Sequence, residues 1–425
     1  MNLRYVLLLT TLLAGFAASL TQGSTLAADA VRPPNVVLLI SDDQAWTDYG
    51  FMGHKQIETP HLDRLAKESA LFTRGYVPSS LCRPSLMTMA TGLYPHQHKI
   101  AGNDPAGKVN RNLMLKHVQA VATSPRELGQ LGYVSLQTGK WWEGAPSLGG
   151  FTQAMTHGDT TRGGRHGDVG LKIGREGLKP VFDFIDKAGD DPFYLWYAPF
   201  LPHEPHNPPE RLLKKYQAQN DSIHIAKYYA MCEWFDETCG QLLDHLDAKG
   251  LRENTLVIYV CDNGWIQEPN KRGYTNRSKR SSYDGGVRTP IMVRWPAGQV
   301  KAFRDEQTLV DSIDIVPTIR EACGVVAKDE LPGLSLLSLC RGGQLDRDTI
   351  YGEIFAHDQA DIDNPSASLI SRWCIEKDLK LIDSVDGPPQ LFNLADDPFE
   401  QQDLAKDQPD TVARLRKKLD AWWTP

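Results

Sequence analysis

The stretch "PNVVLLISDD", residues 34–43, decides how the chain is read. An apolar run rich in Val and Ile, with no polar residue breaking it, ends in two carboxylates. Such a run suits a strand buried on both faces, as in the parallel sheet of an α/β domain. "NTLVIYVCDNG", residues 254–264, has the same form. "YVSLQTGK" and "PFYLWYAPF" read as further strands, with helical stretches over 60–69 and 228–249 between them. Strands alternating with helices place the chain in the α/β class.

The two clearest strands each close on a pair of oxygen-bearing side chains, Asp42-Asp43 and Asp262-Asn263. In open α/β sheets ligands gather outside the carboxyl ends of the strands. Four such oxygens meeting there would repel one another unless a cation sat between them. An all-oxygen set suits Ca2+, with Mg2+ second, better than zinc.

The remainder of the chain narrows the class. A formal charge of -7 argues against general nucleic-acid binding. Arg4, an apolar run over 5–20 and small residues around 27–30 predict an export signal over residues 1–30, and the run is too short and too broken for a stable membrane anchor. Export predicts a periplasmic or secreted protein. The seven cysteines show no repeated CxxC spacing, which argues against a zinc ribbon; one or two disulfides are compatible with an oxidising compartment, and whether Cys232 pairs with Cys239 stays open.

Two loops stand out: the Gly-rich 144–170, with His157, Arg162, Arg165 and His166, and 270–288, with six basic residues. Beyond about Cys340, "TIYGEIFA", "SRWCIEKDLKLID" and "PQLFNLADD" read as a small antiparallel sheet. A last helix follows, with Asp407 as its expected cap and Val412, Leu415, Leu419 and Trp422 on one stripe. The expected division is 1–30 signal, 31–340 catalytic α/β domain and 341–425 a small C-terminal α+β subdomain.

Three residues near predicted strand ends offer positive charge or a proton to an anion: Lys140 in "TGKWW", Lys279 in "SKRSSYDGG" and His203 in "LPHEPHNPP". In "SSLCRPSLMTMATG", residues 79–92, Pro84 suits a first helical turn, which sets Cys82 at a helix N-terminus. That end attracts anions and lowers a thiol's pKa.

Together these residues resemble the type I, formylglycine-dependent sulfatases of the alkaline phosphatase superfamily. The resemblance rests on six motifs in order: Asp-Asp, Cys-x-Pro-Ser, Thr-Gly-Lys-Trp, Pro-His-x-Pro, Asp-Asn-Gly and Lys-x-x-x-Tyr-Asp-Gly-Gly-x-Arg. It implies a large mixed, mostly parallel sheet between helices, followed by a smaller antiparallel sheet with a helix. It also implies that Cys82 is converted to formylglycine by a formylglycine-generating enzyme, and that the hydrated aldehyde is the nucleophile. Ca2+ would be held by Asp42, Asp43, Asp262, Asn263 and the modified Cys82. Lys140 and Lys279 would hold the sulfate oxygens, and His203 would bind or protonate the leaving oxygen. The expected substrate is a sulfated small molecule or glycan.

The chain departs from the family pattern at two places. Leu86 stands where the Cys motif usually has Arg, and Arg83 is a nearby charge that could serve the substrate in its stead. Trp142 stands where Gly-Lys-Trp is usually followed by the His associated with sulfate release. One of His96, His98, His157 or His166 is expected to take over that role. A phosphate or phosphonate ester hydrolase on the same scaffold, and a catalytically silent relative that binds sulfated glycans, remain as alternatives.

Overall fold

The computed structural model describes residues 32–159, 162, 168–326 and 329–425, so the expected export signal lies outside the described residues. In chain order the long strands of the main sheet are β1 (Asn35–Ser41), β2 (Ala70–Tyr76), β3 (Val134–Gly139), β4 (Phe193–Ala198), β5 (Thr255–Cys261) and β6 (Arg288–Arg294). They lie in the order β2-β6-β5-β1-β4-β3, and three short strands at the edges bring the sheet to nine. Every pairing among these six is parallel except the two made by β6, so the sheet is mixed and mostly parallel.

β1 sits in the middle, and its alternate residues feed two different cores. Val36, Leu38 and Ile40 pack on one face, and Val37 and Leu39 on the other. The absence of alternation in the sequence is therefore the signature of two covered faces. Burying each of these side chains contributes roughly 1.5–3 kcal/mol.

One face is covered by α1 (Pro60–Lys67), through Leu62 and Leu65, together with a 26-residue helix, Ile223–Ala248. The other is covered in part by α2 (Cys82–Thr91), whose Leu86, Met89 and Ala90 join the core. The long helix, α3, starts earlier than its apolar pattern predicts because Ser222 accepts a bond from the Ile225 N–H and caps it.

The second sheet runs β7 (Thr349–Phe355), β8 (Leu369–Glu376), β9 (Leu379–Ser384) and β10 (Gln390–Asn393), each antiparallel to the next. Trp373 and Ile375 of β8 enter the same core as Val36, whereas Cys374 between them meets Leu415 and Leu419 of α4 (Pro409–Trp422). Residues 33–425 thus form one compact unit. The cap of α4 differs from expectation: the N-cap is Gln408 and not Asp407, because Pro409 occupies the first helical position.

All seven cysteines are free thiols, so no disulfide forms, and Cys232 and Cys239 stand in separate apolar clusters. Among the described residues no helix is long and apolar enough to cross a membrane.

Candidate active site

β1 and β5 are parallel neighbours in a register that sets Ser41 opposite Cys261. The next residues of each strand, Asp42-Asp43 and Asp262-Asn263, therefore emerge side by side at the carboxyl edge. Asp43 turns back with φ 63°, a conformation uncommon outside glycine and met at functional sites. It is held there by Asp262, whose Oδ1 accepts from the Asp43 N–H at 3.1 Å, and by Asn263, whose Nδ2 donates to Asp43 Oδ1 at 2.7 Å.

The cations arrive from three other strand ends. Gly139 closes β3 with φ 71°, and a Cβ there would lie 1.7 Å from the Ala198 carbonyl oxygen, so only glycine lets the chain pass. The next residue, Lys140, donates through Nζ to Asp42 Oδ1 at 2.5 Å. Lys279, in the loop before β6, donates to Asp43 Oδ1 and Oδ2 at 2.6 and 2.8 Å and to Cys82 Sγ at 3.0 Å. Beyond β4, the Asp42 N–H donates to the Leu201 carbonyl at 3.0 Å and draws that loop in. His203 then stacks on Phe200, its Nδ1–H committed to the Glu204 carbonyl at 2.6 Å and its Nε2 3.4 Å from Asp43 Oδ2.

Burial and charge oppose one another throughout this cluster. Burial pushes the Asp42 carboxyl well up, in spite of Lys140. Burial also raises Asp43, but Lys279, His203 and Lys140 together outweigh it and hold that carboxyl below the usual range. Burial lowers Lys279, yet Asp43 and Cys82 carry it well above an ordinary lysine. The expectation of an acidified Cys82 thiol is corrected. Cys82 is the first residue of α2, but burial outweighs Lys140 and Lys279 and pushes the thiol up.

Three buried oxygens in the cluster, Asp42 Oδ2, Asp262 Oδ2 and Asn263 Oδ1, make no hydrogen bond. Unpaired buried oxygens are costly, and their convergence with Asp43 fits a hard cation. The ligand atoms of Asp42, Asp43, Cys82 and His203 also lie within 4.8 Å of one another.

Above this floor opens a cavity of about 360 Å³, lined by Cys82, His203 and Lys279 together with Asn103, Trp142 and Trp265. A larger groove of about 520 Å³ beside Phe51, Lys67, Phe303 and Arg304 contains none of these groups, and its residues offer no comparable chemistry.

Among the candidates for binding substrate, Lys140 stays buried in the carboxylate cluster below the cavity, and Arg83 is held away from both. Its guanidinium is buried and bound to Glu143, with Nε to Oε1 at 2.6 Å and Nη2 to Oε2 at 2.7 Å. Leu86 points into the core, and Trp142 lies under Lys140, with Nζ 4.8 Å from the ring centroid. The histidines expected to compensate for Trp142 lie elsewhere. His96 is bound to Glu353 and stacked on Trp423, His98 is buried against Thr88, and His157 contacts Asp168. His166 lies outside the described residues.

A different histidine, His357, lines the cavity. Its ring bonds Asp358 through Nδ1 at 2.6 Å and meets Asn103 through Nε2 at 3.3 Å. It arrives through a two-residue pairing of Asp358–Gln359 with Asp104–Pro105, which no local motif announces.

Comparison with known proteins agrees with this architecture. Residues 34–325 match the family described as Sulfatase, and residues 273–423 match the N-sulphoglucosamine sulphohydrolase C-terminal family. The chain belongs to the sulfatase family. It is a sulfuric ester hydrolase.

The chain is 30% identical over 375 residues to the N-acetylgalactosamine-6-sulfatase of Canis lupus familiaris, covering 76% of this chain and 69% of that one. It shares its fold with a protein solved in complex with its substrate D-glucosamine-2-N,6-O-disulfate, with TM-score 0.72, 17% identity and 92% and 98% of the two chains covered. It also shares its fold with the phosphonate monoester hydrolase of Agrobacterium radiobacter, with TM-score 0.68, 20% identity and 91% and 95% covered.

Proposed function

We propose that the chain hydrolyses the sulfate ester of a sulfated carbohydrate at the Cys82 cavity, after export to the periplasm or the cell exterior. One observation carries the reading: Cys82 lies 3.0 Å from Lys279 Nζ, beside a cluster whose buried oxygens are left unsatisfied. Converted to formylglycine by its generating enzyme, Cys82 would supply a hydrated aldehyde as the nucleophile for sulfur. Ca2+ held by Asp42, Asp43, Asp262, Asn263 and the modified Cys82 would supply charge for the sulfate oxygens.

The chain's own side chains do the rest. Lys140 and Lys279 present ammonium groups that are already fixed by carboxylates, so neutralising the sulfate costs little reorganisation. His203, with its Nδ1–H committed to a carbonyl, turns Nε2 to the leaving oxygen; burial and Lys140 hold its pKa well below an ordinary histidine's, so the proton that Nε2 would give that oxygen is taken up only as the anionic ester binds. Trp142 and Trp265 line the cavity, exclude water and offer ring faces to a sugar. The sugar assignment draws on the 6-sulfated N-acetylgalactosamine in the name of the canine relative.

The test has two parts. Mass spectrometry of the peptide spanning Cys82, from protein made in its native host, is expected to find formylglycine in place of the thiol. Turnover of N-acetylgalactosamine 6-sulfate is expected to exceed turnover of an aryl phosphate, and C82A is expected to abolish it. An unmodified thiol in active protein overturns the nucleophile. Faster cleavage of the phosphate moves the chain to the phosphate or phosphonate ester hydrolase reading.

A further inference from the structure

The charged side chains that line the Cys82 cavity do not balance. Lys279 is matched by Asp43. Glu204 is matched by Arg272, Nη2 to Oε2 at 3.3 Å, with its other oxygen, Oε1, buried without a hydrogen bond. Arg280 also lines the cavity and is exposed, yet among the described residues its guanidinium has no carboxylate, carbonyl or aromatic partner.

Arg280 is nevertheless mounted rigidly. Its backbone takes φ 65°, in the left-handed region that disfavours a side chain. Its N–H donates to the Ser80 carbonyl at 2.9 Å, and Ser80 Oγ donates back to the Ser281 carbonyl at 2.8 Å. These two bonds clamp the loop around Arg280 to the segment that leads directly into Cys82. Lys279, on one side of Arg280, touches Cys82. A backbone clamped beside the reacting residue thus holds an unmatched positive charge at the wall of the cavity, where an anion on the substrate can meet it.

We propose that Arg280 is a specificity-determining residue, and that the substrate carries a second anionic group within about one sugar unit of the sulfate that is cleaved. The fork of a guanidinium fits a carboxylate or a sulfate equally, so the second group is a uronic carboxylate or a further sulfate. This rests on the sulfated-carbohydrate reading above and narrows it to glycans that are multiply charged.

The experiment compares three probes: N-acetylgalactosamine 6-sulfate, the same sugar carrying a second sulfate, and the same sugar joined to a uronic acid. The wild-type enzyme is expected to favour at least one doubly anionic probe by about 10-fold in kcat/KM, the scale of one charge-assisted hydrogen bond, mainly through KM. R280Q is expected to lose that preference, R280K to keep part of it, and added salt to erode it in the wild type. The arm that responds identifies the anion. Equal turnover of all three probes by the wild type, or a preference that survives in R280Q, overturns the assignment of Arg280 and leaves the sulfatase reading standing. Turnover of none of them removes the sulfated-sugar reading and this inference with it.

Discussion

Arg83 and Glu143 grip each other fork to fork, sixty positions apart, with both side chains almost wholly buried. The pair joins the residue after Cys82 to the segment after Lys140, so it braces two walls of the site without entering the cavity. Removing one member leaves an uncompensated buried charge, at a cost of about 3–5 kcal/mol. E143A is therefore expected to lower the denaturation midpoint sharply, and the double variant R83M/E143M to recover most of the loss. A double variant as unstable as E143A would show that the pair's worth lies in packing and not in charge.

A second buried carboxylate sets a pH dependence. Asp236 of α3 accepts the His61 and Leu62 N–H groups at 3.2 and 2.7 Å, tying the first turn of α1 to α3. Burial nevertheless pushes its carboxyl up to about 7, against the help of those two donors. A folded value above the unfolded one means that this group's stabilising contribution is full below the ordinary carboxylate range. It is lost as pH rises through 7. The stability of D236N minus that of the wild type is thus expected to grow in favour of the variant between pH 4 and 7. Urea denaturation across that range measures it, and a flat difference would remove Asp236 as the cause.

The unsatisfied oxygens of Asp42, Asp262 and Asn263 predict a stability that depends on a hard cation. Ligand binding to the folded state stabilises by about 2.7 kcal/mol at a hundredfold excess over Kd. Thermal melts after treatment with a chelator are expected to fall, and Ca2+ to restore them further than Mg2+ does. D262N is expected to abolish the response. A melt that ignores both chelator and Ca2+ would leave those oxygens without an explanation.

β1 and β5 were legible in the sequence because a strand buried on both faces leaves an unbroken apolar run, and Asp42-Asp43 and Asp262-Asn263 because they close those runs. Lys140, Lys279 and His203 were legible only through motifs; their spacing in the chain says nothing of their convergence, which depends on the strand order. Arg83 looked like a substrate contact since its partner, Glu143, lies far along the chain and carries no motif. His357 was invisible for a similar reason, since a two-residue pairing brings it in from the C-terminal region. The α4 cap shows the local limit: Asp407 and Gln408 are adjacent, and only the proline after them decides which one starts the helix.

Lys380 of β9 ties the second sheet to the loop that carries Lys279. Its Nζ donates to Asp284 Oδ1 at 2.7 Å and lies 2.8 Å from Glu400 Oε1, while Glu400 Oε2 accepts the Asp284 N–H at 2.6 Å. Lys380 is wholly buried, so K380M removes the cation that Asp284 and Glu400 share and leaves Asp284 only its longer contact with Arg288, at 3.5 Å. Glu400 is only partly ionised near pH 7: burial, outweighing Lys380, pushes its carboxyl up to about 7. The two variants are therefore expected to diverge. K380M should cost about 3–5 kcal/mol and lower turnover by loosening the start of the helical turn at Asp284, five residues from Lys279. E400Q should cost little, and less at pH 8 than at pH 6, because the wild-type carboxyl loses stability as pH rises from the ordinary carboxylate range through about 7 and levels off above it. Melting temperatures of both variants at pH 6 and pH 8 check this, and an E400Q that is as destabilised as K380M at pH 8 would mean that Glu400 is held as a full anion by Lys380.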